Sequence, residues 1–182
     1  MQAATIAARS VRENVQLMSD ADEGSRPIAV IDLDGVLADV RHRLHHLTGQ
    51  PRNWEAFFAG ISADPVLPEG RAVVDRLAGD HDLVYLTGRP ERTRRATEAW
   101  LKRHRLPRGE LIMRRERDRR PARVTKPSLL RKLAEGRRVS VVVDDDPEVC
   151  AALSRDGWPV LVADWMTRAP TLHSAQEESG GT

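Results

Sequence analysis

Short apolar runs rich in Val, Ile and Leu alternate along the chain with longer stretches whose apolar residues recur every three or four positions. This alternation predicts a parallel sheet with crossover helices, because a strand covered on both faces loses the polar positions that a solvated face would show. Strands are predicted at Ile28–Leu33, Leu83–Leu86, Leu111–Met113, Val139–Val143 and Pro159–Val162. Helices are predicted at Gly70–Leu77, Glu91–His104, Pro127–Leu133 and Pro147–Ser154, with Pro90, Pro127 and Pro147 suited to first-turn positions. The expected architecture is α/β, three layers with a central parallel sheet. Residues 27–167 form its one domain, 41–68 a small lid of two short helices at most, and 1–26 and 168–182 mobile tails.

In open parallel sheets the ligand crevice lies beyond the carboxyl ends of the strands. The residues there are Asp32 and Asp34 after the first strand, Thr87, Gly88 and Arg89 after the second, and Asp144, Asp145 and Asp146 after the fourth. A buried strand end is an expensive place for charge. Two carboxylates cost several kcal/mol there unless a cation or hydrogen-bond donors compensate, and a hard divalent ion such as Mg²⁺ answers that demand. Asp146 directly precedes Pro147 and is expected to cap the following helix.

Composition narrows the chemistry. The one cysteine, Cys150, forms no internal disulfide and no Cys/His cluster offers a zinc site, so any metal rests on oxygen ligands. No apolar stretch is long enough to cross a bilayer, the first residues do not read as a secretory signal, and a cytoplasmic location is expected. The net charge of +2 conceals an uneven distribution: Gly88 to Arg138 holds 19 Lys and Arg against 6 Asp and Glu. A basic segment beside an acidic one suits an enzyme that grips a polyanion and binds a cation, although arginines coating solvated helices would give the same count.

IDLDGVLAD at Ile31–Asp39, LTGR at Leu86–Arg89, an isolated Lys126 and VVVDDDP at Val141–Pro147 together resemble, in order and spacing, the four motifs of the haloacid dehalogenase (HAD) phosphohydrolases. The resemblance covers roughly Ile28 to Trp165 and implies a Rossmann-like HAD fold with a minimal cap. It implies a phosphatase in which Asp32 is the nucleophile that takes the phosphoryl group, and Asp34 the general acid and base whose backbone carbonyl also touches the metal. Thr87 would hydrogen-bond the transferring oxygens, Lys126 would neutralise charge there, and Asp144 and Asp145 would hold Mg²⁺, the likeness leaving open which of them binds directly. Many relatives carry threonine after DxDG, where this chain has Val36.

A narrower resemblance lies in LIMRRERDRRPARVTK, Leu111–Lys126, which is similar to the phosphatase module of polynucleotide kinase/phosphatase enzymes, as is RNWEAFF with Asp64. Such modules remove 3′-phosphates from DNA or RNA ends. By that likeness Gly88, Arg89, Arg114 and Arg120 become candidates for binding the substrate's phosphates, with solvated arginines as the plain alternative. No GxxxxGK[ST] loop occurs in these residues, so a separate kinase or ligase is the expected partner. Two rivals stay open. One is a phosphatase for nucleotides or other small metabolites, and the other a nucleic-acid end-binding or partner module without turnover. The sequence leaves the oligomeric state undetermined. His42, His45 and His46 are expected on a solvated lid helix, Trp54, Phe57 and Phe58 in lid packing, and Cys150, Trp100, Trp158 and Trp165 in packing of the core.

Overall fold

The computed structural model describes residues 26–166 together with Leu172 and Ala175. Five parallel strands, β1 (Ile28–Ile31), β2 (Asp82–Pro90), β3 (Gly109–Arg114), β4 (Val139–Asp144) and β5 (Val160–Val162), form one sheet in the order β3-β2-β1-β4-β5. Among the described residues the α-helices that join them are α1 (Trp54–Ala59), α2 (Pro68–Leu77), α3 (Arg94–Arg103), α4 (Ala122–Leu133) and α5 (Pro147–Arg155). The sheet and the helices on its faces make the α/β HAD fold that the motif order implies.

All four residues of β1 are buried, and they divide by pleat. Ala29 and Ile31 pack with Val74 of α2 and Trp100 of α3, whereas Ile28 and Val30 pack with Leu130 of α4 and with Val149 and Leu153 of α5. This two-sided burial is why the strand reads as an unbroken apolar run. The strand order reverses at β1, which has β2 on one side and β4 on the other, so the switch-point crevice opens above Asp32.

Two boundaries differ from the sequence reading. The second strand does not stop at Leu86 but runs to Pro90, with a register shift between Thr87 and Pro90 against β3. Thr87 pairs with Met113 and Pro90 with Arg114, so Gly88 and Arg89 form an irregularity held between two paired positions rather than a free turn. Helix α4 begins at Ala122, after Pro121 as its N-cap residue, so Pro127 lies inside the helix rather than in its first turn. A proline there forfeits one helical hydrogen bond. Burial of Ala122, Thr125 and Leu130, and the ion pairs of Lys126, compensate for it.

The segment expected as a lid, 41–68, holds three short helical pieces where the sequence predicts two at most: a 3₁₀ segment at Arg41–Leu47, α1, and a 3₁₀ turn at Gly60–Ala63 that follows α1 directly. Phe57 and Phe58 are buried beneath it and Trp54 stacks on Phe58 at 5.7 Å between ring centroids. The expected tails, 1–26 and 168–182, lie almost wholly outside the described residues. Leu172 and Ala175, however, are helical and buried in the core on the Trp100 side.

Candidate active site

The parallel register fixes the acidic centre. Ile31 is paired with Val143, so the next residues, Asp32 and Asp144, leave the sheet side by side, and the Asp32 N–H donates to the Val143 carbonyl at 2.9 Å. Asp145 follows one residue on. Carboxylate oxygens of Asp32, Asp144 and Asp145 all lie within 4.8 Å of one another.

Lys126 reaches into this cluster from α4, its Nζ 2.6 Å from Asp144 Oδ2 and 3.1 Å from Asp32 Oδ2. Three carboxylates and one ammonium leave a formal charge of −2 in a buried place. Burial, with Asp144 and Asp34 adding to it against the pull of Lys126, pushes the Asp32 carboxyl up to about 7. Burial likewise raises Asp144, and raises Asp145 well above the usual carboxylate range with Asp32 and Asp144 as like-charged neighbours. The Lys126 ammonium is firmly held, since the attraction of Asp144 and Asp32 outweighs the burial that opposes it. An all-oxygen donor set carrying two uncompensated charges fits a divalent hard cation such as Mg²⁺.

Asp34 lives in a different environment, although only one residue separates it from Asp32. Arg89 Nη2 donates to its Oδ1 at 2.5 Å and Arg43 Nη2 to the same oxygen at 2.9 Å. Burial works upward on Asp34, but Arg89 and Arg43 overcome it and hold the carboxyl below its ordinary range. Both arginines also bind Asp64, Arg43 through Nε at 2.7 Å and Arg89 through Nη2 at 2.9 Å. Two acids and two guanidiniums thus form a neutral buried square. It is fastened further by His42 Nε2 at 2.8 Å from Asp64 Oδ1, by the Phe57 ring 4.0 Å below the Arg43 guanidinium carbon, and by the Trp100 Nε1–H donating to the Asp64 carbonyl at 2.8 Å.

The loop between the two acids and the lid depends on one glycine. Gly35 has φ of +86°, and a Cβ there would lie 2.0 Å from Asp145 Oδ2. Gly35→Ala is expected to lower the melting temperature, through left-handed strain of about 1–2 kcal/mol and displacement of the Asp145 carboxylate. It should also shrink the melting-temperature rise that Mg²⁺ produces, and thermal denaturation with and without the ion measures both.

The remaining residues expected at the site fall into two groups. Thr87 is buried at the C-terminal part of β2, its hydroxyl accepting from the Arg89 N–H at 3.2 Å, and Gly88 lines the small cleft that Asp32, Asp34, Lys126 and Asp145 share. Arg89 turns inward to Asp34 and Asp64 and is wholly buried, rather than presenting its guanidinium to a passing phosphate. Arg114 is buried at the end of β3, donating from Nη2 to the Arg120 carbonyl, and exposed Arg120 forks onto Asp118 at 3.0 and 2.6 Å. Asp146 caps α5, accepting from the Glu148 N–H at 2.9 Å, as its place before Pro147 predicts. The histidines of the lid do not gather into a metal-binding group among the described residues.

Sequence reading passed over Arg43, masked by the histidines around it. The signal was there: Val40, Arg43 and Leu47 follow three-four spacing, and Val40 and Leu47 are both buried, which sets Arg43 on the inward face.

The sequence matches the family described as polynucleotide kinase PNKP phosphatase domain over residues 26–164. The chain belongs to that family. Among solved structures similar to this PNKP-type phosphatase domain is a chain of the Pnkp1/Rnl/Hen1 RNA repair complex, at 22% identity and a TM-score of 0.62, covering 75% of this chain and 42% of that one. The domain thus spans less than half the length of the Pnkp1 chain it matches. A haloacid dehalogenase-like hydrolase from Streptococcus pneumoniae matches at 14% identity and a TM-score of 0.54, covering 84% of this chain and 91% of that chain. The class C acid phosphatase from Bacillus anthracis matches at 15% identity and a TM-score of 0.57, over 82% and 72%. These likenesses agree with the HAD fold. No curated protein matches the sequence, and no helix among the described residues is long and apolar enough to cross a membrane.

Proposed function

We propose that this domain is a Mg²⁺-dependent phosphomonoesterase acting through an aspartyl-phosphate, and that its substrate is the 3′-phosphate at a DNA or RNA end. The observation that carries the reading is the contrast between Asp32 and Asp34. One acid belongs to a negatively charged cluster with a lysine, and its neighbour is locked between two arginines. Two carboxylates with opposed environments suit two different roles.

In this reading Asp32 attacks phosphorus and the bond to the leaving 3′-oxygen breaks as that oxygen takes a proton that Asp34, otherwise held as the carboxylate by its two arginines, relays from solvent. A water then attacks the aspartyl-phosphate, Asp34 takes the water's proton, and inorganic phosphate departs with Asp32 restored. Thr87, Gly88 and Lys126 hold the phosphoryl oxygens, and Lys126 keeps Asp32 aligned. Mg²⁺ bound by Asp32, Asp144, Asp145 and the Asp34 backbone carbonyl would supply charge neutralisation at the phosphoryl group. Arg114 and Arg120 are assigned to the polynucleotide's phosphates, and Arg89, with Arg43, to orienting Asp34.

The family match and the excess of basic residues from Gly88 to Arg138 support a polyanionic substrate. Because the Pnkp1 relative occurs in a complex with Rnl and Hen1, a separate ligase or kinase is proposed as a partner, and a cytoplasmic setting goes with that reading.

The deciding assay is phosphate release from a 3′-phosphorylated oligonucleotide with and without Mg²⁺. Release that requires the ion is expected. Release from mononucleotides or generic esters but never from the oligonucleotide would keep the chemistry and replace the substrate. Metal-independent binding without release would make the domain an end-binding module.

A further inference from the structure

Beside β3, the edge strand, runs a cavity of about 500 Å³ that extends away from the acidic centre. It joins the acidic cleft directly, since Gly88 and Lys126 line both. Leu111 and Met113 of β3 and Leu129 of α4 give it an apolar wall, and Arg115 and Lys132 stand at it as cations. Its size falls in the range of small-ligand pockets, enough for one nucleoside with a phosphate.

The charges around this groove are unevenly spent. Its two acids are already taken, Glu91 by Arg94 and Asp118 by Arg120. Arg115 and Lys132 have no ion-pair partner among the described residues, and both are exposed. Arg114, 5% exposed, keeps Nε and Nη1 without a hydrogen-bond partner. A buried guanidinium with two idle donor nitrogens is costly unless an anion approaches. A polypeptide strand adding to β3 is disfavoured, because Arg94 Nη1 already donates to the Leu111 carbonyl at 3.2 Å.

We propose that this groove is a second binding site, which takes the terminal nucleoside on its apolar wall and the phosphate on that nucleoside's 5′ side between Arg115, Lys132 and Arg114. The proposal rests on the phosphatase reading of the acidic cleft and adds the requirement that the substrate carry a second phosphate. A polynucleotide end meets that requirement, and a nucleoside monophosphate does not.

The test compares phosphate release from a nucleoside 3′-monophosphate and from the same nucleoside 3′,5′-bisphosphate, in Mg²⁺, on the whole chain. The bisphosphate should be preferred about tenfold or more in kcat/KM, as one charge-assisted phosphate contact supplies. Lys132→Glu and Arg115→Glu, both at exposed positions, should bring the ratio near one through KM, and Ser128→Trp should do the same by filling the groove. A ratio near one in the wild type, or one that survives all three substitutions, overturns the groove while leaving the phosphatase intact. Release from p-nitrophenyl phosphate but from neither nucleotide overturns the nucleic-acid reading, and the groove with it.

Discussion

Asp32→Asn is expected to abolish phosphate release, by at least about 10³-fold, and yet to melt at a higher temperature than the wild type once divalent ions are removed at pH 8. Both effects come from the same carboxyl. Burial pushes Asp32 from its ordinary value of 3.8 up to about 7, so between roughly pH 4 and pH 7 the folded chain holds a proton that the unfolded chain has released. Folding stability from this group therefore falls as pH rises through that window, and by pH 8 the metal-free fold carries the whole cost. A rise of about three pKa units, the attraction of Lys126 already included, corresponds to about 4 kcal/mol, of which relaxation of the site leaves about 2 kcal/mol to be recovered by the neutral amide. For a domain of this size that is about 5 °C. Adding Mg²⁺ should raise the wild type more than the variant, because an ion that binds only the folded state stabilises it. Calorimetry of both proteins at pH 5 and pH 8, with and without the ion, measures these differences. A wild type whose metal-free stability rises from pH 5 to pH 8, with the amide variant no more stable than it at pH 8, would remove the electrostatic account.

Arg89→Ala should be the most damaging substitution outside the acidic cluster. Its guanidinium is wholly buried between Asp34 and Asp64, and deleting one member of a buried ion network leaves the partners uncompensated at a cost of about 3–5 kcal/mol. The exposed pair Arg41–Asp39, at 2.6 Å, is the contrast: Arg41→Ala should leave the melting temperature unchanged despite equally short geometry. Arg89→Ala combined with Asp64→Ala should recover part of the loss, because the second change restores neutrality. Activity responds in a separate way. Arg89 helps keep Asp34 below the usual carboxylate range, so its removal lets the Asp34 pKa rise. The limb of the kcat–pH profile that reports Asp34 should then move to higher pH. A melting temperature within about 1 °C of the wild type, roughly the scatter of such measurements, would show that the square carries no net energy.

What the sequence reveals and conceals follows from how each residue is buried. β1 and β4 are legible because both faces are covered, which writes continuous apolar runs. The acids at their ends are legible because charge after such a run demands a partner. The extension of β2 through Gly88 is hidden, since Thr-Gly-Arg-Pro carries turn residues and only pairing to β3 makes it a strand. The start of α4 is hidden by Pro127, whose local penalty is outweighed by the long-range attachment of Lys126 to Asp144. Arg43 and Arg89 mislead in a similar way. Lone arginines in basic surroundings look solvated, and their burial depends on Asp64, which lies 21 residues from one and 25 from the other, a coincidence no local pattern records.

The segment 41–68 supplies Arg43 and Asp64 to the square that fixes Asp34, so in the proposed mechanism it would serve the proton transfers as much as cover the site. This sets a limit on how such a domain diversifies. Exchanging the segment 41–68 for a larger cap would strip Asp34 of one of its two cations and Arg89 of one of its two acids. An incoming cap must bring its own arginine and aspartate in the same places, or the core must first learn to hold its acid without them. Changes in specificity are easier on the open side, where exposed residues such as Arg115 and Lys132 hold none of the buried square.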